Sequence, residues 1–456
     1  MAEDDLPDNA NETARAGRPT TAAPAESDHR ADHDPYAAFR FNPYRYYAAG
    51  SFISVMGRAM LAVAVGWEIF QRTRSAMALG MVGLVQALPV ILFAIPAGHV
   101  ADRFSRKKVL MVTQLFSALG SVGLAVISLE KAPVSWMFVL LFLTACARTF
   151  NWAARGSFMP NLVPAHAFPN AVTWNSNAFQ IGSVAGPAIG GFLVAWFGFP
   201  LVYGFDAVCG LSFFLLLIPI RVRQAQARSR AGGIRELFSG IHFVWKTKII
   251  LATISLDLFA VLLGGATALL PLFAGEILHC GSIGLGWLRA APSIGAVTMG
   301  MVIAHLPPMR KAGKTLLWAV VGFGMATIVF GLSKSFWLSM GMLFLTGAFD
   351  NVSVVVRHTL VQLLTPDSMR GRVSAVNNVF IGSSNELGAF ESGVTAAWFG
   401  PVISVVAGGV GTILVVLAAA RLWPALPGLG AFAAVKPVVA EGGAGTEAQS
   451  GFNGSD

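Results

Sequence analysis

What most constrains this chain is a series of apolar stretches, each long enough to cross a bilayer. A membrane-spanning helix needs about 20 mostly apolar residues. Twelve such spans are read: 46–70, 78–101, 108–129, 134–158, 171–196 and 200–220, then 250–274, 284–305, 314–332, 336–358, 372–398 and 402–423. In lipid every backbone N–H and C=O must be satisfied inside the protein, and a helix does this within one segment. A β-barrel would alternate apolar and polar residues over about 10 positions, and the runs do not. Charged residues make up only 12% of the chain, against about 25% in soluble domains. The expected fold is therefore all-α and polytopic.

Charge sets the expected orientation. Loops after even-numbered spans carry 16 Lys and Arg; loops after odd-numbered spans carry four, Arg72, Arg74, Lys131 and Lys334. Basic loops stay on the cytoplasmic side, so both termini are expected in the cytoplasm and the chain in the plasma (inner) membrane. The net charge of +9 is explained by these loops, and no nucleic-acid partner is expected. The N-terminus is polar and acidic, without the basic-then-apolar pattern of a cleavable signal. Cys146, Cys209 and Cys280 lie far apart, with neither metal nor disulfide spacing, and read as small core residues.

The halves repeat. At an offset of 202, Arg155 matches Arg357, Asn175 matches Asn377, Gly186 matches Gly388, Gly191 matches Gly393, and Trp196-Phe197-Gly198 matches Trp398-Phe399-Gly400. Near 203, Gly83 matches Gly286 and Pro89 matches Pro292. Such parallel repeats suit two six-helix bundles with a site between them. The expected organisation is an acidic disordered tail over 1–34, a bundle over 40–220, a cytoplasmic linker over 221–249, a second bundle over 250–423 and a disordered tail over 424–456. Within the linker, Ile234, Leu237, Ile241, Val244 and Trp245 recur at helical spacing, as in an amphipathic helix lying on the membrane surface.

Two motifs narrow the family. Between the second and third spans stand Gly98, Asp102, Arg103, Arg106 and Lys107, an acid and several bases in a very short loop. In the fifth span, Gly182, Gly186, Pro187, Gly190 and Gly191 form a G-x-x-x-G-P-x-x-G-G run, where small residues let helices approach and the proline permits a bend. The first resembles motif A of the major facilitator superfamily, with Ser105 at its usual second glycine; the second resembles the motif of antiporters that export drugs and metabolites. The segments 77–89 and 155–171 are similar to the enterobactin-exporter and macrolide-efflux branch. The resemblance implies a two-bundle transporter whose Asp102 and neighbouring bases latch the bundles on the cytoplasmic side. A glycine at 98 is expected to permit close helix packing there.

Ionisable residues inside spans are costly and usually functional. Arg58, Arg148, Asp257, Arg289, Asp350 and Glu386 fall deep and are candidate proton or substrate sites; Arg148 and Asp350 occupy equivalent repeat positions with opposite signs and, if both face the cavity, are expected to pair across the bundle interface. Glu68, Asp206, Arg155 and Arg357 fall near helix ends, where snorkelling to the interface explains them. Asn151, Asn175, Asn177, Gln180, Asn351 and Asn377 form a candidate substrate path or stitch helices together. Ala312-Gly313-Lys314-Thr315 resembles the end of a phosphate-binding loop, but Pro308 stands where that loop needs glycine and no strand precedes it.

With no catalytic motif, the chain is expected not to be an enzyme and to need no cofactor or metal. The expected activity is proton-coupled efflux of a small organic molecule, a siderophore, drug or metabolite, by alternating access in a functional monomer, with substrate, protons and the bilayer as its partners. A facilitator or importer on the same fold, or a non-transporting membrane sensor or scaffold, is the alternative. In a background without the native cysteines, Arg106→Cys and Arg228→Cys are expected to react with an impermeant maleimide from the same face of the membrane. Labelling from opposite faces contradicts the arrangement in two sextets.

Overall fold

The computed structural model describes residues 34–221, 234–307 and 309–430, and the helices belong to one compact unit that begins at Ala37. Nearly all of the expected acidic tail, linker residues 222–233 and the tail from 431 lie outside the described residues. The first half contains α1 (Asn42–Thr73), α2 (Ala76–Arg103), α3 (Arg106–Leu129), α4 (Val134–Phe158), α5 (Phe168–Phe197) and α6 (Phe199–Leu217). After the linker helix α7 (Ile234–Lys246) come α8 (Lys248–Leu263), the short α9 (Leu270–Leu272), α10 (Gly281–His305), α11 (Ala312–Leu332), α12 (Phe336–Leu364), α13 (Asp367–Phe399) and α14 (Pro401–Leu422).

Local chemistry sets the ends. Ser75 caps α2, its hydroxyl accepting from the Ala78 amide at 3.3 Å, as a serine N-cap does. Gly198 and Gly400, equivalent in the repeat, end α5 and α13 at φ 77° and 89° with ψ 179° and 156°, a conformation open essentially to glycine alone. Gly264-Gly265 break the seventh span. Beyond the break it winds through a 3-10 turn, α9 and a π turn over Phe273–Ile277.

Among the described residues, eleven spans, including the broken one over Lys248–Ile277, are long and apolar enough to cross a membrane. The twelfth long helix, α13, has 33 residues. Asn377, Asn385, Glu386 and Glu391 make it more polar, yet it packs along α2 and α8. The fold is all-α and polytopic, as expected.

Packing follows the repeat. α1 lies against α5 and α6, α3 against α4 and α6, and α2 against α4. Equivalently, α8 lies against α13 and α14, α11 against α12 and α14, and α10 against α12. The halves meet along two matching seams, α2 with α13 and α5 with α10. Glycines make both possible. A Cβ on Gly191 would stand 2.5 Å from the Ser282 carbonyl oxygen, and one on Gly286 2.6 Å from that of Pro187. Across the other seam, a Cβ on Gly83 would stand 2.5 Å from the Glu386 carbonyl oxygen, and one on Gly80 2.8 Å from Gly393 Cα. The fifth-span motif thus works on two faces. Gly182, Gly186 and Gly190, four residues apart, receive Val55, Ala59 and Met60 of α1, while Pro187 and Gly191 face α10.

Four charges expected to snorkel are held inside instead: Glu68, Asp206 and Arg357 are buried and Arg155 half-buried. Glu68 is 1% exposed; it pairs with Arg72 and accepts from Ser128 Oγ at 2.7 Å and Tyr203 OH at 2.5 Å. Asp206 accepts from Ser121 Oγ at 2.6 Å. Arg155 donates to Asn151 Oδ1 and Ser51 Oγ and lies over the Phe213 ring. Arg357 pairs with Asp257. The physical reason is helix length and partnership: α12 runs to Leu364 and α1 to Thr73, so Arg357 and Glu68 are interior positions, and each charge has a polar partner on a neighbouring helix.

Residues 424–430, expected to begin the tail, fold beneath α11 instead. Ala312 N–H donates to the Gly430 carbonyl at 3.2 Å, and Leu426 is buried beside Leu316 and Leu360. α7 docks on the second half, with Val244 buried among Ile250, Val361 and Val373.

Breaking a buried ion pair from one side leaves an uncompensated charge and costs about 3–5 kcal/mol, whereas replacing both partners can be nearly neutral. Arg357→Leu and Asp257→Leu are each expected to lower the detergent-solubilised melting temperature sharply, and the double substitution to recover most of the loss. Additive losses in the double variant contradict this role for the pair.

Candidate functional site

Between the halves lies a chamber of about 320 Å³. α1, α4 and α6 bring Arg58, Arg148 and Asp206 to its wall; α10 and α13 bring Arg289 and Glu386. Three guanidinium groups and two carboxylates leave one formal positive charge in excess. Arg148 Nη2 and Glu386 Oε1 meet at 3.1 Å across the gap between α4 and α13. Their side chains are 37% and 23% exposed, so the pair faces the chamber rather than a dry core. The pairing expected between Arg148 and Asp350 is corrected: Arg148 takes Glu386, because Asp350 opens into a separate side pocket within the second half.

A string of polar groups runs from the chamber into the first half. Arg58 Nη2 donates to Ser54 Oγ at 3.1 Å, and Gln114 Nε2 donates to the same oxygen at 3.0 Å. Asn151 Nδ2 reaches Thr113 Oγ1 at 2.8 Å and Gln114 Oε1 at 3.4 Å. Arg155 continues the string from Asn151 Oδ1 to Ser51. The equivalent second-half arginine, Arg357, reaches the carboxylate of Asp257 on α8. The repeat therefore keeps an arginine running from the fourth helix of each half to the first, and changes its partner from hydroxyl to carboxylate.

Of the six candidate charges, Arg58, Arg148, Arg289 and Glu386 share the chamber. Asp257 does not: it is 7% exposed and held by Arg357. The amides also divide. Asn151 belongs to the buried string, while Asn377 is buried and Asn351 half-buried, each with an Oδ1 that finds no partner among the described residues. Asn175, Asn177 and Gln180 on α5 do not line the chamber, because that helix turns its glycine faces to α1 and α10.

Asp206, Gln86, Gln114, Ser117, Ser121 and Thr144 also line the chamber. The spacing of Gln114, Ser117 and Ser121 along an apolar helix is the signal for one polar face.

The loop motif is unlatched here. Asp102 and Arg103 are exposed, and Gly98, expected in close helix contact, has open space where a Cβ would be. Lys107 Nζ donates to the carbonyls of Ile218 and Ile220 at 2.8 and 2.9 Å, at the end of α6. The physical reason is that the glycine seams hold the halves together at the opposite end, where α1 runs into α2. There Trp67 and Phe70 pack together, Phe70 against Gly275, and Phe273 against Phe330.

This arrangement has known counterparts. The chain matches the model of a family described as transmembrane secretion effector over residues 33–435. It is 26% identical over 369 residues to the enterobactin exporter EntS of Shigella boydii serotype 18, covering 80% of this chain and 88% of that one. Its fold resembles a bacterial homologue of the human lysosomal transporter Spinster in an inward-facing, unoccupied conformation. The TM-score is 0.63 at 15% identity, covering 86% of this chain and 97% of that one. It also resembles a D-xylose–proton symporter, with TM-score 0.64 at 14% identity, covering 82% and 96%. With two repeated helix sextets about a charged chamber and a family match spanning both, the chain belongs to the transmembrane secretion effector family of major facilitator transporters.

Proposed function

We propose that the chain is a proton-driven exporter of a small organic molecule, working as a single chain by alternating access. The observation that carries the reading is the ion pair between Arg148 and Glu386, which ties one half to the other across the chamber. A partly solvated pair of this kind is worth about 0.2–1 kcal/mol. That is weak enough to be broken in each cycle. Protonation of Glu386 neutralises one partner, and an anionic group of the substrate competes for the other. Proton and substrate then act on the same tie, and each shifts the two-state equilibrium only by its differential affinity for the two states.

The loop charge count supports placing the open end, which carries the 98–108 loop, on the cytoplasmic side. In the other state the seams part and Asp102, with Arg103 and Arg106, closes the cytoplasmic end. Efflux is supported by the fifth-span motif and by the similarity to enterobactin exporters. Siderophores, drugs and metabolites are the substrate classes to try.

In inverted vesicles with an acidic interior, substrate accumulation is expected to collapse when a protonophore is added. Glu386→Gln is expected to lower gradient-driven accumulation at least tenfold while leaving binding in place. Accumulation indifferent to the gradient removes the coupling, and accumulation only in right-side-out vesicles favours an importer. Asp102→Asn is expected to insert normally and transport poorly, which quantitative blotting beside the same flux assay checks; normal flux leaves that acid a topological role only.

A further inference from the structure

The side pocket in the second half has a composition that proton-driven export through the chamber does not use. It measures about 170 Å³ and lies beside the Gly264-Gly265 break of the seventh span. Thr267 and Asn385 line both this pocket and the chamber, so the two spaces share a wall. Asp350 stands in the pocket, and among the described residues its carboxylate has no salt bridge or hydrogen bond.

The polar groups around Asp350 have largely spent their protons elsewhere. Thr346 Oγ donates to the Leu343 carbonyl at 2.6 Å, and Thr327 Oγ to the Phe323 carbonyl at 2.9 Å. Each hydroxyl oxygen is left with lone pairs alone to offer. Asn385 Nδ2 gives one of its two protons to the Ile381 carbonyl at 2.9 Å, and its Oδ1 is a further acceptor. The remaining wall includes the rings of Phe323 and Phe330 and the Pro292 side chain. A pocket rich in acceptors, with a carboxylate and aromatic faces, is complementary to a donor-rich organic cation, whose charge the rings also favour. A bare metal ion would use the oxygens and have no use for the apolar wall.

We infer that this pocket is a subsite for a protonated amine of the substrate, and that the full substrate is zwitterionic, its ammonium group beside Asp350 and its anionic group among Arg58, Arg148 and Arg289. The inference rests on the chamber being the substrate site. Its geometric basis is the pairing of an arginine-rich chamber with an acceptor-rich annex, holding the Asp350 carboxylate, across the shared Thr267 and Asn385 wall.

The test measures binding without transport, so that its failure is separable from failure of proton-driven export. Full-length protein in nanodiscs is melted by tryptophan fluorescence with n-butylammonium, n-butanol or sodium chloride, at ionic strength matched with potassium chloride. The expected result is saturable stabilisation by n-butylammonium and none by n-butanol. Asp350→Asn should need at least tenfold more n-butylammonium. Thr346→Val, which keeps the charge but removes one acceptor, should need several-fold more. Linear ω-aminocarboxylates should protect at lower concentration than n-butylammonium, an advantage lost in Arg289→Gln.

Equal protection by n-butanol, or an unchanged midpoint in both pocket variants, overturns the subsite. Asp350-dependent stabilisation by sodium chloride without any by n-butylammonium overturns it in favour of an inorganic cation site. Absence of any aminocarboxylate advantage overturns the zwitterion assignment.

Discussion

The close backbone approach at Gly80, Gly83, Gly191, Gly286 and Gly393 is the contact on which the rest depends. Lipid gives two helices no hydrophobic reason to associate, so adhesion has to come from van der Waals contact and hydrogen bonding. Removing the side chain from both partners is the most direct way to gain that contact. Here it occurs twice, at positions related by the internal repeat, and both seams sit at one end of the chain's two halves. One end closes without any charged latch, and the other is free to part. A side chain added at such a seam would cost about 1–3 kcal/mol by overpacking, comparable to the balance a transporter must tip in each cycle.

The charges divide by consequence. Glu68, Asp206, Arg155 and the Arg357–Asp257 pair lie within one half and are bonded to neighbours in that half. They hold helices of the same bundle in register, and nothing about them need change as the bundles rock. Arg148 and Glu386 belong to different halves and meet in the chamber. Their interaction is the kind that reports on bundle separation. The same residue types therefore do different work, set by whether the partner lies in the same half.

Much of this is legible in the residues. Span positions, the repeat, the glycine motif and four of the chamber charges follow from hydropathy, offset and depth. Gly83, Gly191, Gly286 and Gly393 stand out in the repeat, but that they form the seams between the halves shows only in the packing. Depth at helix ends is not legible. Arg357 looks terminal because apolarity gives way at His358, yet the helix runs on to Leu364. Partner choice is not legible either. Equivalent repeat positions suggest Arg148 with Asp350, but a pseudo-twofold places equivalent residues apart as readily as together, and the partner comes from the next helix round. The side pocket escapes the sequence because it is made where Gly264-Gly265 break the seventh span, and its wealth of acceptors depends on where Thr327 and Thr346 donate.

The central claim is that the two ends of the halves open in opposition, and paired spin-label distances test it most directly. Phe104 and Leu306, near-equivalent in the repeat and both exposed, mark the open end; Leu129 and Leu332, equivalent and also exposed, mark the closed one. With cysteine labels at each pair, Glu386→Gln is expected to lengthen the distance between 129 and 332 and shorten that between 104 and 306. Distances that move in the same direction, or that do not respond at all, contradict the account.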